Sequence, residues 1–261
     1  MNIEIIIPSY NCTKTLHRAL SSLDAQTNAD FSVHVIDDCS TEDLLPILEM
    51  HSALNMRVTR NPYNIGCGMT RQVGIDNTKA DYFAFVDSDD VLMPYAVEIW
   101  HNMATTSPNA DFFHSYFIEQ TMVNGNPVLV THQKEISFCH GKLYKTSFIR
   151  NTGIKNSPEV KWADDSFFNT MCFEMGRCSE IKIPMYMWLN NPESVTRSGS
   201  KDFAGDFIHA FLLAMRFVKS KGAKEMKYIE LGLKTIEENM YRVDEVAKQE
   251  YETLLKEFHS A

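Results

Sequence analysis

Apolar and polar residues follow two different periods in the first ninety residues of the chain. Runs of four to six residues rich in Val, Ile, Phe and Tyr predict strands at 3–7, 31–36, 56–59 and 82–86. Between these runs, apolar residues recur at helical spacing over 13–25, 44–50 and 70–77. Strands that alternate with helices are typical of a mostly parallel sheet with helices on both faces, so we predict an α/β fold. Pro8 is expected to end the first strand.

The pattern is less regular after residue 95. We predict further helices at 95–105, from Thr146 and from Trp162, and a strand at 110–119. The Asn124-Gly125 pair lies between apolar segments and predicts a hairpin. A pair of strands interrupted by Pro184 is expected over 181–189, before a segment of loop composition at 190–200.

The last sixty residues contain helical patterns alone, which we interpret as two helices separated at Gly222. In the second helix, apolar residues recur at alternate spacings of three and four: Met226, Ile229, Leu233, Ile236, Met240, Val243 and Ala247. This spacing is typical of a coiled-coil seam, which would join copies of the chain into a homo-oligomer. An ordinary amphipathic helix packed on its own domain is the favoured interpretation, because the pattern lasts only about three heptads.

Composition places the chain among soluble globular proteins, with 44% hydrophobic and 23% charged residues. Its apolar runs are shorter than the roughly 18 residues that span a bilayer, and its start lacks the basic region of a signal peptide. The six cysteines show neither a CxxC pair nor zinc-like spacing, so we expect free thiols and a cytoplasmic location. A net charge of −9 argues against a large non-specific nucleic-acid surface, though not against a small basic groove.

An acidic cluster follows the strand at 82–86. Asp87, Asp89 and Asp90 lie within four positions, and buried carboxylates without partners cost several kcal/mol each. A divalent cation bound by oxygen ligands would compensate these charges. Asp87 and Asp89 are two residues apart, so on an extended backbone their side chains point the same way and both can face one ion. The alternative is a plain turn that caps the helix after Pro94.

Polar segments also follow the other three predicted strands. They occupy positions 8–11, 37–40 and 61–68. In sheets of this kind, ligands bind beyond the carboxyl ends of the strands. The four strand ends together therefore predict a binding site at one edge of the sheet.

Four motifs in this part of the chain closely resemble those of the family 2 glycosyltransferases of GT-A fold. They are Ile-Ile-Ile-Pro-Ser-Tyr-Asn (5–11), Val-Ile-Asp-Asp-Cys-Ser-Thr (35–41), Asn-Ile-Gly (64–66) with Arg71, and Phe-Val-Asp-Ser-Asp-Asp (85–90). Three later segments resemble the acceptor half of that family: Gly-Lys-Leu-Tyr-Lys (141–145), Asp164-Asp165 and Ser-Val-Thr-Arg (194–197). The resemblance covers about residues 3–200 and implies a GT-A domain over 1–200, with a Rossmann-like mixed sheet. Within it, 1–95 would bind the nucleotide sugar and 96–200 the acceptor, with 201–261 as a C-terminal helical extension.

The resemblance implies a nucleotide-sugar donor, with UDP as the expected nucleotide, and Mn²⁺ or Mg²⁺ as cofactor. Residues expected around the donor are Pro8, Ser9, Tyr10, Asn11, Asp38, Asn64, Gly66, Arg71, Asp87 and Ser88. Asp38 would accept a hydrogen bond from the base, and Arg71 would hold the base or the phosphates with its planar guanidinium. Asp87 and Asp89 would hold the ribose and the metal on the diphosphate, with Asp89 as the direct metal ligand.

On the acceptor side, the family's usual pair is Glu-Asp, and this chain has Asp164-Asp165 in its place. By position Asp165 is the expected base, which takes the proton from the attacking hydroxyl in a single inverting displacement. The departure from Glu-Asp leaves open which aspartate reacts, although Asp164 at a helix start is interpreted first as an N-cap. Trp162, His140 and Arg197 complete the acceptor side, and for His140 a structural role is the favoured alternative.

These features together predict a metal-dependent inverting glycosyltransferase that uses a UDP-sugar, with a glycan or glycoconjugate as the default acceptor. A first alternative is sugar transfer to a hydroxymethylated DNA base, as in some phage enzymes. Its phosphate contacts would be Arg150, Lys155, Lys161, Arg197 and Lys201. A second alternative is a sugar-nucleotide nucleotidyltransferase, but the segment after the first strand lacks the Gly-rich basic loop of those enzymes. A non-catalytic binding module is disfavoured by the intact acidic clusters.

Overall fold

A single mixed sheet forms the centre of the computed structural model, which describes residues 1–191, 201–223, 225–239 and 245–260. Its strands are β1 (Ile3–Ser9), β2 (Ser32–Asp37), β3 (Met56–Arg60), β4 (Tyr82–Phe85), β5 (Val91–Leu92), β6 (Phe112–Val123), β7 (Asn126–His132), β8 (Leu143–Lys145) and β9 (Cys178–Trp188). They lie in the order β3-β2-β1-β4-β8-β6-β9-β5, with β7 paired to β6. β3, β2, β1 and β4 are parallel neighbours, β8 is antiparallel to β4 and β6, and β9 is parallel to β6. This sheet confirms the predicted fold class.

Helices cover both faces of the sheet. They are α1 (Thr13–Asp24), α2 (Leu45–Met50), α3 (Cys67–Asn77), α4 (Ala96–Thr106), α5 (Thr146–Thr152), α6 (Asp164–Met175), α7 (Lys201–Ser220), α8 (Lys227–Asn239) and α9 (Glu245–His259). Because side chains alternate along a strand, β1 directs Ile7 into a core that contains Leu16 of α1. On the opposite face, Ile6 lies in a core that contains Phe168 of α6. The predicted arrangement of helices on both faces is confirmed.

Two predicted strand boundaries are wrong, and both involve proline. β1 continues through Pro8 to Ser9, and both residues pair with β2. The backbone of Pro8, like that of Ile6, faces β4, but the pairing with β4 already ends at Ile6. The missing N–H of Pro8 therefore costs the sheet no hydrogen bond. In place of the strand pair expected over 181–189 there is one strand, β9. A shift in register beside Pro184 lets this strand continue past the missing N–H.

The predicted hairpin is confirmed by β6 and β7. These strands pair antiparallel, with Val123 opposite Asn126. The two residues between them, Asn124 and Gly125, have φ values of 51° and 78°. These values fit a type I′ turn, which requires positive φ at both central positions, and Asn and Gly adopt such values most readily.

The predicted break between the C-terminal helices is confirmed. α7 ends at Ser220, and Gly222 follows with a φ of +85°. Only glycine adopts this left-handed conformation without a steric cost, and it ends helices for that reason. The pattern interpreted as one second helix is described as two helices, α8 and α9. None of the described helices is long and apolar enough to cross a membrane.

The apolar face of α8 is buried against its own chain. Four residues of the apolar series lie in the same core as α6 and α7: Met226, Ile229, Leu233 and Ile236. This burial agrees with the favoured interpretation of a helix packed on its own domain. Met240 and Val243 lie outside the described residues. Assembly into a homo-oligomer through these helices stays a prediction, as does the domain boundary at residue 200.

The tight packing of α8 on α7 can be tested by a substitution at Gly232 of α8. A Cβ at position 232 would lie 1.8 Å from Cε1 of Phe211, a residue that is 4% exposed. We expect Gly232→Ala to lower the free energy of unfolding by about 1–3 kcal/mol in chemical denaturation, as overpacking of a core does. Gly205→Ala in α7 is the matched control, because its Cβ would meet that of Ala247 at an ordinary 3.7 Å. The control should stabilise the protein by about 0.5–1 kcal/mol, and equal stability of the two variants would contradict the packing.

Candidate active site

The carboxyl ends of β1, β2 and β4 meet at one edge of the sheet, where Asp38 is 3% exposed. Its Oδ1 accepts hydrogen bonds from Asn61 Nδ2 and the Ile65 N–H, both at 2.9 Å. Its Oδ2 accepts the N–H of Gly66 at 2.9 Å. The carboxylate therefore holds the loop that leads from β3 into α3. Recognition of a base by Asp38 stays a prediction.

The segment after β1 is fixed to the segment after β2. Asn11 has a φ of 46°, and its Oδ1 accepts hydrogen bonds from the Thr41 N–H at 2.8 Å and the Thr41 hydroxyl at 3.1 Å. Pro8 and Ser9 are buried, whereas Tyr10 is 49% exposed and can offer a ring face to a ligand. The predicted donor residues of this segment therefore lie at the sheet edge.

Three further predicted donor residues lie in loops at the same edge. Asn64 is exposed in the loop before α3, and Ser88 is partly exposed just after β4. Gly66 is the residue before the first turn of α3, with a φ of +84° that an L side chain would strain. A glycine here lets the loop turn sharply into the helix that carries Arg71.

Arg71 lies at the centre of the site and joins three carboxylates. The residue is 4% exposed. Its Nη2 donates to Asp87 Oδ1 at 2.6 Å, and its Nη1 donates to Asp164 Oδ2 at 2.5 Å and also to Asp165 Oδ1. Burial opposes the charge on Arg71, but Asp165, Asp87 and Asp164 outweigh it and hold the pKa of the guanidinium well above its usual value. The end of β4 and the start of α6 are thus held together by one cation.

The contact predicted between Arg71 and the donor stays a prediction. The guanidinium was expected to hold the base or the phosphates of the donor, but its described hydrogen bonds all go to the three aspartates. The partners lie 16, 93 and 94 residues away along the chain. A sequence pattern carries no information on such distant pairs, so only the fold could reveal them.

Asp164 is the first residue of α6, and the N-cap position belongs to Ala163, without a side-chain cap. The interpretation of Asp164 as an N-cap is therefore wrong. Its carboxylate turns inward to Arg71 and packs close to α3, since a Cβ on Gly68 would lie 2.6 Å from the Asp164 Cβ. Burial raises the pKa of Asp164 to about 7 against the opposing charge of Arg71.

Asp165 is the more open of the two acceptor-side aspartates. Its side chain is 16% exposed, compared with 7% for Asp164. Besides Arg71, its carboxylate accepts the N–H of Cys139 at 3.2 Å. This hydrogen bond ties α6 to the segment that also carries His140, a contact that the sequence pattern does not indicate.

His140 completes a group with Asp87 and Asp90 in which the potential metal-binding atoms lie within 4.8 Å of one another. His140 Nε2 is 3.6 Å from Asp87 Oδ2 and 3.9 Å from Asp90 Oδ2. Burial opposes ionisation of Asp87, but Arg71 and His140 outweigh it and lower its pKa. Burial, together with the charges of Asp87 and Asp89, holds the pKa of Asp90 well above its usual value. Two carboxylates and an imidazole are a donor set that suits a divalent cation.

Asp89, predicted as the direct metal ligand, lies outside this group. Its carboxylate accepts a hydrogen bond from Asn191 Nδ2 at 2.8 Å. Burial and the neighbouring Asp87 raise the pKa of Asp89. Asp90, in the same cluster, takes its place beside Asp87 and His140.

Aromatic rings hold His140 in position. Its imidazole stacks on Tyr186 with centroids 4.5 Å apart and on Phe138 with centroids 5.1 Å apart. The Tyr186 hydroxyl donates to Asp90 Oδ2 at 2.8 Å and accepts the Asp87 N–H at 3.1 Å. Sequence reasoning missed Tyr186, although its place two residues before Trp188 in an alternating strand pattern puts both on one face.

The remaining acceptor-side residues fall in two places. Trp162 precedes α6 and is 43% exposed. Arg197 lies within residues 192–200, outside the described part of the chain. The two acidic clusters are therefore brought together with Arg71 and His140, and Trp162 lies at the border of α6.

The profile of the family described as glycosyl transferase family 2 matches residues 4–173. This match covers more than half of the chain and includes the sheet edge, Arg71, His140 and the start of α6. The chain belongs to this family of glycosyltransferases.

Within the family, the chain is similar to the poly(ribitol-phosphate) β-N-acetylglucosaminyltransferase TarS of Staphylococcus aureus (strain MW2). The two are 27% identical over 236 residues, which cover 82% of this chain and 40% of TarS. It is also 24% identical over 226 residues to WfgD of Escherichia coli, a UDP-Glc:α-D-GlcNAc-diphosphoundecaprenol β-1,3-glucosyltransferase, covering 86% of this chain and 82% of WfgD. The chain therefore spans less than half of the length of TarS.

Solved structures agree on the fold. The structure of S. aureus TarS 1–349 in complex with UDP-GlcNAc has a TM-score of 0.73 and 21% identity, with 99% of this chain and 80% of that chain covered. The mannosyltransferase PcManGT from Pyrobaculum calidifontis, in complex with GDP-Man and Mn²⁺, has a TM-score of 0.61 and 14% identity, with 92% and 73% covered. Both similarities support the GT-A fold predicted for the chain.

Proposed function

We propose that this chain transfers a sugar from a UDP-sugar to an acceptor hydroxyl with inversion at the anomeric carbon. The observation that carries the proposal is the set of ion pairs made by Arg71. They join Asp87, at the end of β4, to Asp164 and Asp165 at the start of α6. A donor at the carboxyl ends of β1, β2 and β4 would place its sugar between these acidic groups. The UDP-GlcNAc named for the TarS structure is the donor chemistry that agrees with this arrangement.

Asp165 is the proposed base. It takes the proton of the acceptor hydroxyl as the oxygen attacks C1 of the donor sugar, while the bond from C1 to the diphosphate breaks and UDP leaves. Attack on the face opposite UDP inverts the anomeric configuration in a single step. Asp165 is preferred to Asp164 because its carboxylate is the more exposed of the two.

A divalent cation, Mn²⁺ or Mg²⁺, is proposed at the group of Asp87, Asp90 and His140. When bound, such an ion neutralises negative charge on a leaving diphosphate. The residues fit this role because His140 Nδ1 is buried without a hydrogen-bond partner among the described residues, while Nε2 faces the two carboxylates. Tyr186 holds Asp90 and supports His140 by stacking.

The assignment of the metal ligands can be tested with two variants. We expect His140→Gln to weaken Mn²⁺ binding, measured by electron paramagnetic resonance in the presence of UDP, by about 10–100-fold. Asp89→Asn should weaken it less, because that carboxylate faces Asn191. If Asp89→Asn weakened Mn²⁺ binding more than His140→Gln, the ion would be assigned to Asp87 and Asp89, as the spacing in the sequence predicted.

A glycan or glycoconjugate is the proposed acceptor. TarS and WfgD are named for a polyol-phosphate polymer and a lipid-linked sugar, respectively, and both acceptors present sugar or polyol hydroxyls. The DNA alternative is weaker, because a net charge of −9 disfavours binding to a polyanion. Cytoplasmic location stays a prediction from the cysteine pattern.

The proposed reaction can be tested with a panel of donors and acceptors. UDP-GlcNAc and UDP-glucose would first be compared by thermal shift with Mn²⁺. The donor that binds would then be incubated with poly(ribitol phosphate), a GlcNAc-diphospholipid and a hydroxymethylated DNA duplex. We expect transfer to one of the first two with inversion, seen by ¹H NMR of the product. Transfer to DNA alone, or pyrophosphate exchange without transfer, would overturn the proposal.

A further inference from the structure

Asp206 of α7 binds three consecutive backbone N–H groups that precede α6. Its carboxylate accepts the Lys161 N–H at 3.0 and 3.1 Å, the Trp162 N–H at 2.6 Å and the Ala163 N–H at 2.8 Å. One turn further along α7, His209 Nε2 lies 3.9 Å from Glu159 Oε2 in the same segment. The segment before α6 is therefore attached to α7 at two points.

These N–H groups lie directly before the helix that carries the acceptor-side aspartates. Helix starts leave backbone N–H groups without partners inside the helix, and an N-cap side chain normally accepts from them. Ala163 at the N-cap position has no such side chain. Asp206, from another helix, accepts instead from the N-cap residue and the two residues before it, and its negative charge also favours the positive end of the α6 dipole.

We infer that Asp206 is a positioning residue for glycosyl transfer. Asp206 fixes the backbone at 161–163 and thereby sets the direction in which α6 begins. This direction determines the positions of the Trp162, Asp164 and Asp165 side chains. The inference rests on the proposed function of Asp165 as base. It assigns a role in the reaction to a C-terminal helix that lies beyond the residues 4–173 matched by the family profile.

Small displacements of a base are costly for the rate. A misplacement of about 1 Å can cost 10²-fold in rate, because the base must lie within hydrogen-bonding distance of the hydroxyl. Asp206→Asn keeps the shape of the side chain but removes the charge that strengthens these hydrogen bonds. We expect kcat for transfer to fall about tenfold in Asp206→Asn and up to about 100-fold in Asp206→Ala.

Measurements of donor binding should distinguish a positioning role of Asp206 from a general loss of structure in its variants. The proposed donor site lies at the ends of β1, β2 and β4, whereas the hydrogen bonds described for Asp206 go to residues 161–163. The dissociation constant for UDP with Mn²⁺ should therefore stay within about twofold of the wild-type value while kcat falls. Hydrogen exchange at the N–H groups of Lys161, Trp162 and Ala163 should become faster in both Asp206 variants.

Glu174 provides the matched control. Near the end of α6 it accepts the N–H groups of Tyr228 and Ile229 at 2.6 and 2.8 Å, so it joins α6 to α8 by the same chemistry. Glu174→Gln should lower thermal stability to a similar extent as Asp206→Asn, yet leave kcat and exchange at 161–163 unchanged. That difference between the two variants would support the inference.

Two results would overturn the inference. One is a normal kcat in Asp206→Asn when exchange at 161–163 is faster. The other is an equal loss of kcat in Glu174→Gln and Asp206→Asn, which would mean that the C-terminal helices support the fold alone. Failure of the proposed base would look different: Asp165→Asn would keep full activity, whatever the Asp206 variants do.

Discussion

Asp165→Asn should lower kcat for sugar transfer by about two to four orders of magnitude, the usual contribution of a general base. The substitution keeps the shape of the side chain and removes its ability to take a proton. Arg71 retains Asp87 and Asp164 as partners, so the fold should persist. Affinity for UDP with Mn²⁺ should hardly change, because the proposed donor residues lie at the strand ends. Steady-state kinetics and calorimetry measure the two quantities separately.

Asp164→Asn is the control for this prediction. Its carboxylate is nearly buried and points to Arg71, so its loss should lower kcat much less than the loss of Asp165. The pKa of Asp164, raised by burial to about 7, gives the residue the basicity of a general base, which makes the comparison decisive. If the two variants exchange their effects, Asp164 is the base. A product that retains the donor's anomeric configuration would exclude a single displacement by either residue.

The meeting of the polar strand ends could be predicted because it follows from topology alone. Parallel strands joined by helices place their carboxyl ends at one edge, whatever the side chains are. Asp38 follows β2 and Asp87 follows β4, the two strands that flank β1, and the structure brings both residues to this edge. The hairpin at Asn124 and Gly125 was equally predictable, because its conformation depends on two adjacent residues.

The contacts within the site could not be predicted in the same way, because they depend on side-chain directions across the fold. His140 was interpreted first as a structural residue, yet Nε2 lies 3.6 Å from Asp87. Its orientation follows from stacking between Phe138, which is close in the sequence, and Tyr186, which comes from the distant strand β9. Local patterns determine which elements form, whereas the partners of a buried charge are known only after those elements pack.

Arg71→Met should be the most destabilising single substitution that we predict. The methionine keeps much of the apolar stem and removes the only charge that the described structure shows joining Asp87, Asp164 and Asp165. Loss of one partner from a buried charged network leaves the others uncompensated and costs about 3–5 kcal/mol. Urea denaturation at pH 8 measures this loss. Arg216→Met is the matched control: Arg216 is 48% exposed and pairs with Glu257, itself 34% exposed, at 2.5 Å, so we expect a loss of at most about 1 kcal/mol.

The loss of stability in Arg71→Met should depend on pH, and the direction of this dependence follows from proton binding. Without the guanidinium, the pKa of Asp164 rises further above the unfolded value of about 3.9, and Asp87 loses a charge that lowers its pKa. Between the unfolded and folded pKa values the folded protein binds more protons, so its stability falls as pH rises. Since the pKa of Asp164 is already about 7 with Arg71 present, the window extends from about pH 4 to above pH 7. The variant should therefore recover much of its lost stability between pH 8 and pH 5.5. A loss that is independent of pH would show that the protonation of Asp164 and Asp87 does not depend on Arg71.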